Sequence, residues 1–293
     1  MDGYSYKFNR VVIIESLEDF EVKTGLENGR VLAGELERLN KATSVEYYLC
    51  EGVVDFKRII KDIIIQSSHE SIPILHIECH GDILEGLEFR NGSVISWLEL
   101  ARLIFPLNLA TGCNLMLCLS ACHAASFLSQ MGTLKIPCPC RILVAPATEV
   151  NPADCMRGFR IFYSELFRAR RVEVALKAIE DFESGEVQWL GEYAEKWFYE
   201  LATHSISLQY SKEAMKKNVL SMHHRLKSNG FSVKIGDLKN DMQRYMRETG
   251  LRLIYEKFFG IDLAPEIDKL FHYVYEDMLA WAQEMREAGR LGF

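Results

Sequence analysis

Two largely apolar runs constrain the architecture of this chain more than anything else in it. Ile72-Pro73-Ile74-Leu75-His76-Ile77-Glu78-Cys79 leads into His80-Gly81-Asp82, and Leu115-Met116-Leu117-Cys118-Leu119 leads into Ser120-Ala121-Cys122-His123. Strands covered by helices on both faces read as continuous Val, Ile and Leu, whereas half-exposed strands alternate. Predicted strands are Val11 to Glu15, Val45 to Cys50, Ile72 to Cys79, Asn114 to Ser120 and Arg141 to Ala147. Helix-period segments separate or follow them at Arg30 to Leu39, Val54 to Ser67, Trp97 to Leu107, Ala124 to Gln130 and Ala153 to Arg170. Ser96-Trp97-Leu98-Glu99 has the form of a capping box ahead of the third of these helices. Strand and helix in alternation predict a mainly parallel sheet inside a three-layer αβα sandwich. In such sheets the functional crevice lies beyond the carboxyl ends of the strands, where His80 and Cys122 both fall.

The texture changes near residue 185, which divides the chain into a sheet-bearing domain, 1–185, and a mostly helical C-terminal extension, 186–293. Trp189, Tyr193, Trp197 and Leu201 recur every four residues and predict one apolar helix face. Further helices are expected at Lys212 to Ser228, stopped by Asn229-Gly230, at Asp237 to Phe258 and at Pro265 to Gly289, with a short strand at Phe231 to Ile235.

Composition narrows the function classes. With 34 Lys and Arg against 41 Asp and Glu the net charge is -7, which gives no basic footprint for direct nucleic-acid binding. No run reaches the roughly 18 apolar residues of a membrane span, and the start, Met1 to Lys7, lacks signal-peptide character. All eight cysteines lie between Cys50 and Cys155 without a paired C-x-x-C, as expected of free thiols in the cytoplasm.

The chemistry that a His and a Cys perform together at strand ends is thiol proteolysis. A neutral thiol is a weak nucleophile, so it needs a base or a positive surrounding to form thiolate, and donors for the oxyanion. Cys122 is the candidate nucleophile, and His80 either takes its proton or protonates the leaving amine. The amides of Gly81 and Cys122 are candidate oxyanion-hole donors. Other readings stand beside this one. His76 and His80 lie about 13 Å apart along a strand at roughly 3.3 Å per residue, too far for one zinc ion, while His80, Cys122 and His123 remain geometrically open to one. The Lys23 to Gly29 segment lacks the Gly-Lys-Ser/Thr ending of a phosphate-binding loop and reads as a loop ahead of a helix.

The His80-Gly81 pair, with Cys122 42 positions after His80, resembles the caspase-like cysteine peptidases, within them most closely the CHAT, separase and metacaspase branch. The resemblance covers about residues 8 to 182; Val144 to Ala147, Phe159 to Leu166 and Val172 to Leu176 look like the tail of CHAT domains. It implies a caspase-like sandwich and a cofactor-free, metal-free endopeptidase with a His80–Cys122 dyad. It further implies one dedicated protein target, with a regulatory protein or ligand in control, in prokaryotic signalling or defence. Ser120 stands where metacaspases carry an Asp that helps to bind a basic side chain, and Ala124 where caspases carry a Gly. Ser120, Glu149 and Asp154 are the residues the resemblance offers for substrate binding. Only 17 residues separate His123 from Arg141, too few for an excisable maturation linker. Those departures leave open an interaction scaffold of the same fold without catalysis. Oligomeric state and the residue at the cleaved bond are not readable.

Overall fold

The structure, a computed structural model, describes residues 6–39, 42–129, 137–182 and 187–293. It forms two compact units, the first ending at Ala194 and the second comprising Glu195–Phe293. Along the first unit run β1 (Arg10–Glu15), α1 (Thr24–Arg38), β2 (Ser44–Leu49), α2 (Val53–Ile65), β3 (Pro73–Glu78), β4 (His80–Asp82), β5 (Gly86–Glu88) and β6 (Val94–Ile95). There follow α3 (Trp97–Ala110), β7 (Met116–Ser120), α4 (Ser126–Ser129), β8 (Ile142–Pro146), α5 (Pro152–Ala169), α6 (Val172–Glu180) and β9 (Trp189–Tyr193).

The main sheet has the order β2-β1-β3-β7-β8-β9; five strands are parallel and β9 is antiparallel to β8. Register aligns Glu15 with Glu78 and Glu78 with Ser120, so β1, β3 and β7 end level with one another. Strand parity then sorts the side chains. Val11 and Ile13, Ile74, Met116 and Cys118, and Ile142 and Val144 form one core with residues of α1, α5 and α6. Val12, Ile14, Leu75, Ile77, Leu117 and Leu119 are equally buried on the opposite face. Arg10, of their parity, reaches the Ile63 carbonyl and Ser67 at the end of α2, which fixes α2 on that side. The result is a three-layer sandwich, an α/β fold with a mainly parallel sheet.

Several expectations give way. Thr24 to Gly29, expected as a loop, forms the first turns of α1 despite two glycines, each a poor helix former. The reason is proximity: a Cβ on Gly25 would lie 2.8 Å from Glu78 Cγ, and one on Gly29 would lie 3.0 Å from Ile13 Cδ1, so only glycines let the helix come this close. Trp189 to Tyr193, expected on a helix face, is instead the edge strand β9, so the sheet continues past residue 185. Trp189 stacks edge-on against Phe159 and covers Gly158, where a Cβ would meet its ring at 2.2 Å; the aromatic spacing of four reflected this packing. The small antiparallel sheet β4-β5-β6 carries no strong sequence signal and was not expected. Ala124 to Gln130 shortens to α4, and Gln130 lies outside the described residues.

The second unit holds α7 (Ala194–Tyr210), α8 (Lys212–Ser228), α9 (Ile235–Tyr245), α10 (Leu251–Phe259) and α11 (Asp268–Glu287), and α7, α10 and α11 supply an aromatic core of Phe198, Tyr255, Phe258, Phe259 and Phe271. The helix expected over Asp237 to Phe258 is divided by a π-helical turn, Met246–Gly250, and Phe231 to Ile235 forms no strand. Among the described residues, no helix is long and apolar enough to cross a membrane.

Candidate active site

Chain direction between β1 and β3 decides where the crevice lies. The chain steps from β1 outward to β2, then returns to place β3 on the other side of β1, so the strand order reverses between them. Loops diverge at such a point and leave a cleft at the carboxyl ends. The loop after β1, Ser16 to Lys23, forms one wall, and the β3–β4 junction forms the other.

His80 opens β4, whose pairing with β5 sets His80 opposite Glu88 and Gly81 opposite Leu87. The Trp97 indole N–H donates to the Asp82 carbonyl at 3.1 Å, and Asp82 accepts from the amides of Leu84 and Glu85, which hold its carboxyl below the usual range. Cys122 sits in the turn after β7. There the next residue, His123, has φ 56°, a left-handed conformation uncommon for a residue other than glycine, and its amide donates to the Thr148 carbonyl. The Cys122 thiol donates to the Val150 carbonyl at 3.6 Å, and Cys122 is the one cysteine of eight that is not buried.

The two segments abut. The Cys79 amide donates to the Ser120 carbonyl, and a Cβ built on Gly81 would lie 2.3 Å from the Cys122 carbonyl oxygen. The His-Gly pair and the cysteine turn are therefore in backbone contact, and nothing but glycine fits between them. His80 Nε2 lies 3.0 Å from Glu21 Oε1 on the opposite wall. Among the described residues, no group of three or more His, Cys, Asp or Glu side chains is placed to hold a metal ion.

Beneath this pair, one pleat inward on the same face, lies a buried polar cluster. Glu78 Oε2 accepts the hydroxyls of Thr24 and Ser120, each at 2.6 Å, and Oε1 accepts His76 Nε2–H at 2.9 Å. His76 Nδ1 in turn meets the Tyr163 hydroxyl at 2.8 Å, and Ser120 Oγ lies 2.8 Å from Cys155 Sγ. Glu15, level with Glu78, accepts the Tyr47 hydroxyl at 2.5 Å and the Gly25 amide at 2.7 Å. Glu15 and Glu78 are 0 % and 2 % exposed. Burial raises the Glu15 pKa, and the neighbouring Glu78 charge adds to the rise, against the hydrogen bonds from Tyr47 and Gly25.

Of the sequence-predicted residues, His80, Gly81 and Cys122 meet at the crevice and Ser120 joins the cluster beneath it. Ser120 donates its hydroxyl to Glu78, one strand over. Glu149 and Asp154 are not part of this group. Glu149 is an exposed side chain 3.9 Å from His123, and Asp154 hydrogen-bonds Asn151, the N-cap of α5, and pairs with Arg157. Glu15, Glu21 and Glu78 escaped the sequence reading, whereas His76, read there as a buried partner within the sheet, is one. A charged residue closing each of two mainly apolar strands was the available signal for Glu15 and Glu78; loop residue Glu21 had none.

No protein-family model matches the sequence, and no curated protein matches it significantly. Among solved structures, the chain is similar to the Drosophila initiator caspase Dronc, with 16 % identity and a TM-score of 0.45. That likeness covers 64 % of this chain and 82 % of the Dronc chain.

Proposed function

We propose that the chain is a caspase-like cysteine peptidase. The observation that carries this reading is the backbone contact of Gly81 with Cys122, which sets His-Gly beside the one cysteine that is not buried, past the carboxyl ends of β3 and β7. In this reading the Cys122 thiol loses its proton to His80, and sulfur attacks the scissile carbonyl carbon. The Gly81 and Cys122 amides stabilise the oxyanion. His80 then protonates the leaving amine, and water hydrolyses the acyl-enzyme through the same histidine.

The cluster beneath argues for a basic residue at the cleaved position. Buried carboxylates call for a compensating cation. Among the described residues no Lys or Arg forms an ion pair with Glu15 or Glu78; their partners are Tyr47, Gly25, Thr24, Ser120 and His76. A substrate Arg or Lys side chain entering beside Cys122 supplies that charge. Thr24 and Gly25 cover the cluster in the free chain, which supports a site opened by a regulatory partner or ligand acting on the start of α1. The CHAT-like reading, with a dedicated protein target in prokaryotic signalling or defence, belongs to the same proposal.

The test is cleavage of a peptide series with Arg, Lys, Asp or Leu at one position by wild type, Cys122→Ala and His80→Ala. Arg and Lys peptides cut by wild type alone are the expected result. Cutting retained by either variant would sink the dyad.

A further inference from the structure

We infer that Glu21 is a positioning residue: its carboxylate fixes His80 as the Nε2–H tautomer and so leaves Nδ1 as the nitrogen that exchanges a proton with Cys122. The tautomer follows from the partner. An ionised carboxylate only accepts hydrogen bonds, so the ring nitrogen 3.0 Å from Glu21 Oε1 carries the hydrogen, and in the neutral ring the other nitrogen is bare.

A contact between a carboxylate and a histidine on exposed side chains ordinarily contributes little and holds nothing in place. This one differs in how its carboxylate is held. The second oxygen, Oε2, accepts the Glu18 amide at 2.7 Å, and the Glu21 amide donates to the Glu18 carbonyl at 3.0 Å, so Glu21 is tied to its own turn at both ends. That turn is strapped in place: Lys23 Nζ caps the carbonyls of Leu17 and Glu18, and Arg90 pairs with Asp19. At the base of the turn, Ser16 Oγ accepts the Arg90 amide and donates to the Cys50 carbonyl. Glu21 is also the less exposed partner, at 24 % against 51 % for the His80 side chain. The carboxylate is thus the fixed element and the imidazole the oriented one.

The proton-exchange role rests on the peptidase reading; the tautomer does not, and two measurements keep them apart. Long-range nitrogen–proton NMR of the full chain, at a pH where the ring is neutral, is expected to show His80 with the hydrogen on Nε2. In Glu21→Ala the two tautomers should mix. A wild-type ring protonated on Nδ1, or a spectrum unchanged in Glu21→Ala, would overturn the inference whether or not the chain cleaves anything. In turnover, Glu21→Ala should lower kcat by about 10- to 100-fold, the loss typical when a histidine's orienting partner is removed, with KM little changed. Glu21→Gln, whose amide oxygen still accepts Nε2–H, should recover much of that loss. Unchanged kcat in Glu21→Ala, or a raised KM alone, would contradict the role. Wild type without Cys122-dependent cleavage would instead defeat the peptidase reading and leave the spectrum to decide the tautomer.

Discussion

Replacing Gly81 with alanine places one methyl group where the account allows none. The new Cβ would stand 2.3 Å from the Cys122 carbonyl oxygen and 3.0 Å from Ala121 Cβ. Real Cβ contacts essentially never fall under 3.0 Å, so β4 and the cysteine turn must separate by about 0.7 Å. The yielding atoms are backbone, and they include Cys122 itself. Two costs follow. Overpacking of this kind destabilises by roughly 1–3 kcal/mol, visible as a lowered Tm. Misplacing reacting groups by about 1 Å can cost on the order of 100-fold, and a lost oxyanion donor costs about 100- to 1,000-fold in kcat. Gly81→Ala should therefore fold, melt somewhat earlier, bind peptide with little change in KM and lose at least about 100-fold in kcat. Gly34→Ala is the control: that glycine lies within α1 with nothing inside 4 Å of a built Cβ, so activity should hold and stability rise by up to about 1 kcal/mol. Steady-state kinetics with thermal unfolding on both variants decides the matter. A folded Gly81→Ala protein with kcat within a few-fold of wild type would refute the assigned contact.

Glu78→Gln keeps an acceptor for His76 but removes the charge, so kcat/KM for an arginine peptide should fall by about 10- to 100-fold, the equivalent of a charged hydrogen bond of about 1.5–3 kcal/mol; an equal loss on a leucine peptide would deny the charge a role in selection. Glu78→Ala takes an acceptor from His76, Thr24 and Ser120 together and should lower stability by roughly 3 kcal/mol or more in urea unfolding. Iodoacetamide at pH 8 with peptide mapping should label Cys122 first, because burial pushes Cys50 and Cys118 up to about 12 and raises Cys79 and Cys155 well above the ordinary thiol range; earlier labelling at any of those four would contradict the burial pattern. The raised Glu15 pKa means that the folded chain holds this proton more tightly than the unfolded chain. Its stabilisation is present below the ordinary value of 4.5 and is lost as pH rises through the folded value. The stability of wild type relative to Glu15→Gln should accordingly decline as pH rises through that window, and a difference constant with pH would show that the carboxyl is not perturbed.

How far the sequence carries depends on which force places each residue. Apolar runs that are buried on both faces have few ways to fold, so the strands around His80 and Cys122 emerge within two residues of their bounds, and Lys212 to Ser228 emerges with its Asn229-Gly230 stop intact. Where tertiary contact overrides local preference, the reading fails. Gly25 and Gly29 look like a loop until Ile13 and Glu78 are seen pressing against them, and Trp189 and Tyr193 keep helical spacing while lying in a strand. The proposed pair, His80 and Cys122, was legible because both residues follow closely on two strands that pair with each other. Glu21 was not, since a loop carboxylate gains its role only when the β1 loop folds across the reversal point to His80. Ser120 was weighed for the charge it lacks, and its hydroxyl donates to Glu78 on the neighbouring strand at 2.6 Å.

The most direct test of the central claim is to digest a proteome-derived peptide library in parallel with wild type and Cys122→Ala, with and without candidate partner proteins, and to sequence every new terminus. The account predicts termini unique to wild type, with Arg or Lys on the amino side of the cut. Identical terminus lists from the two proteins under every partner combination would contradict it.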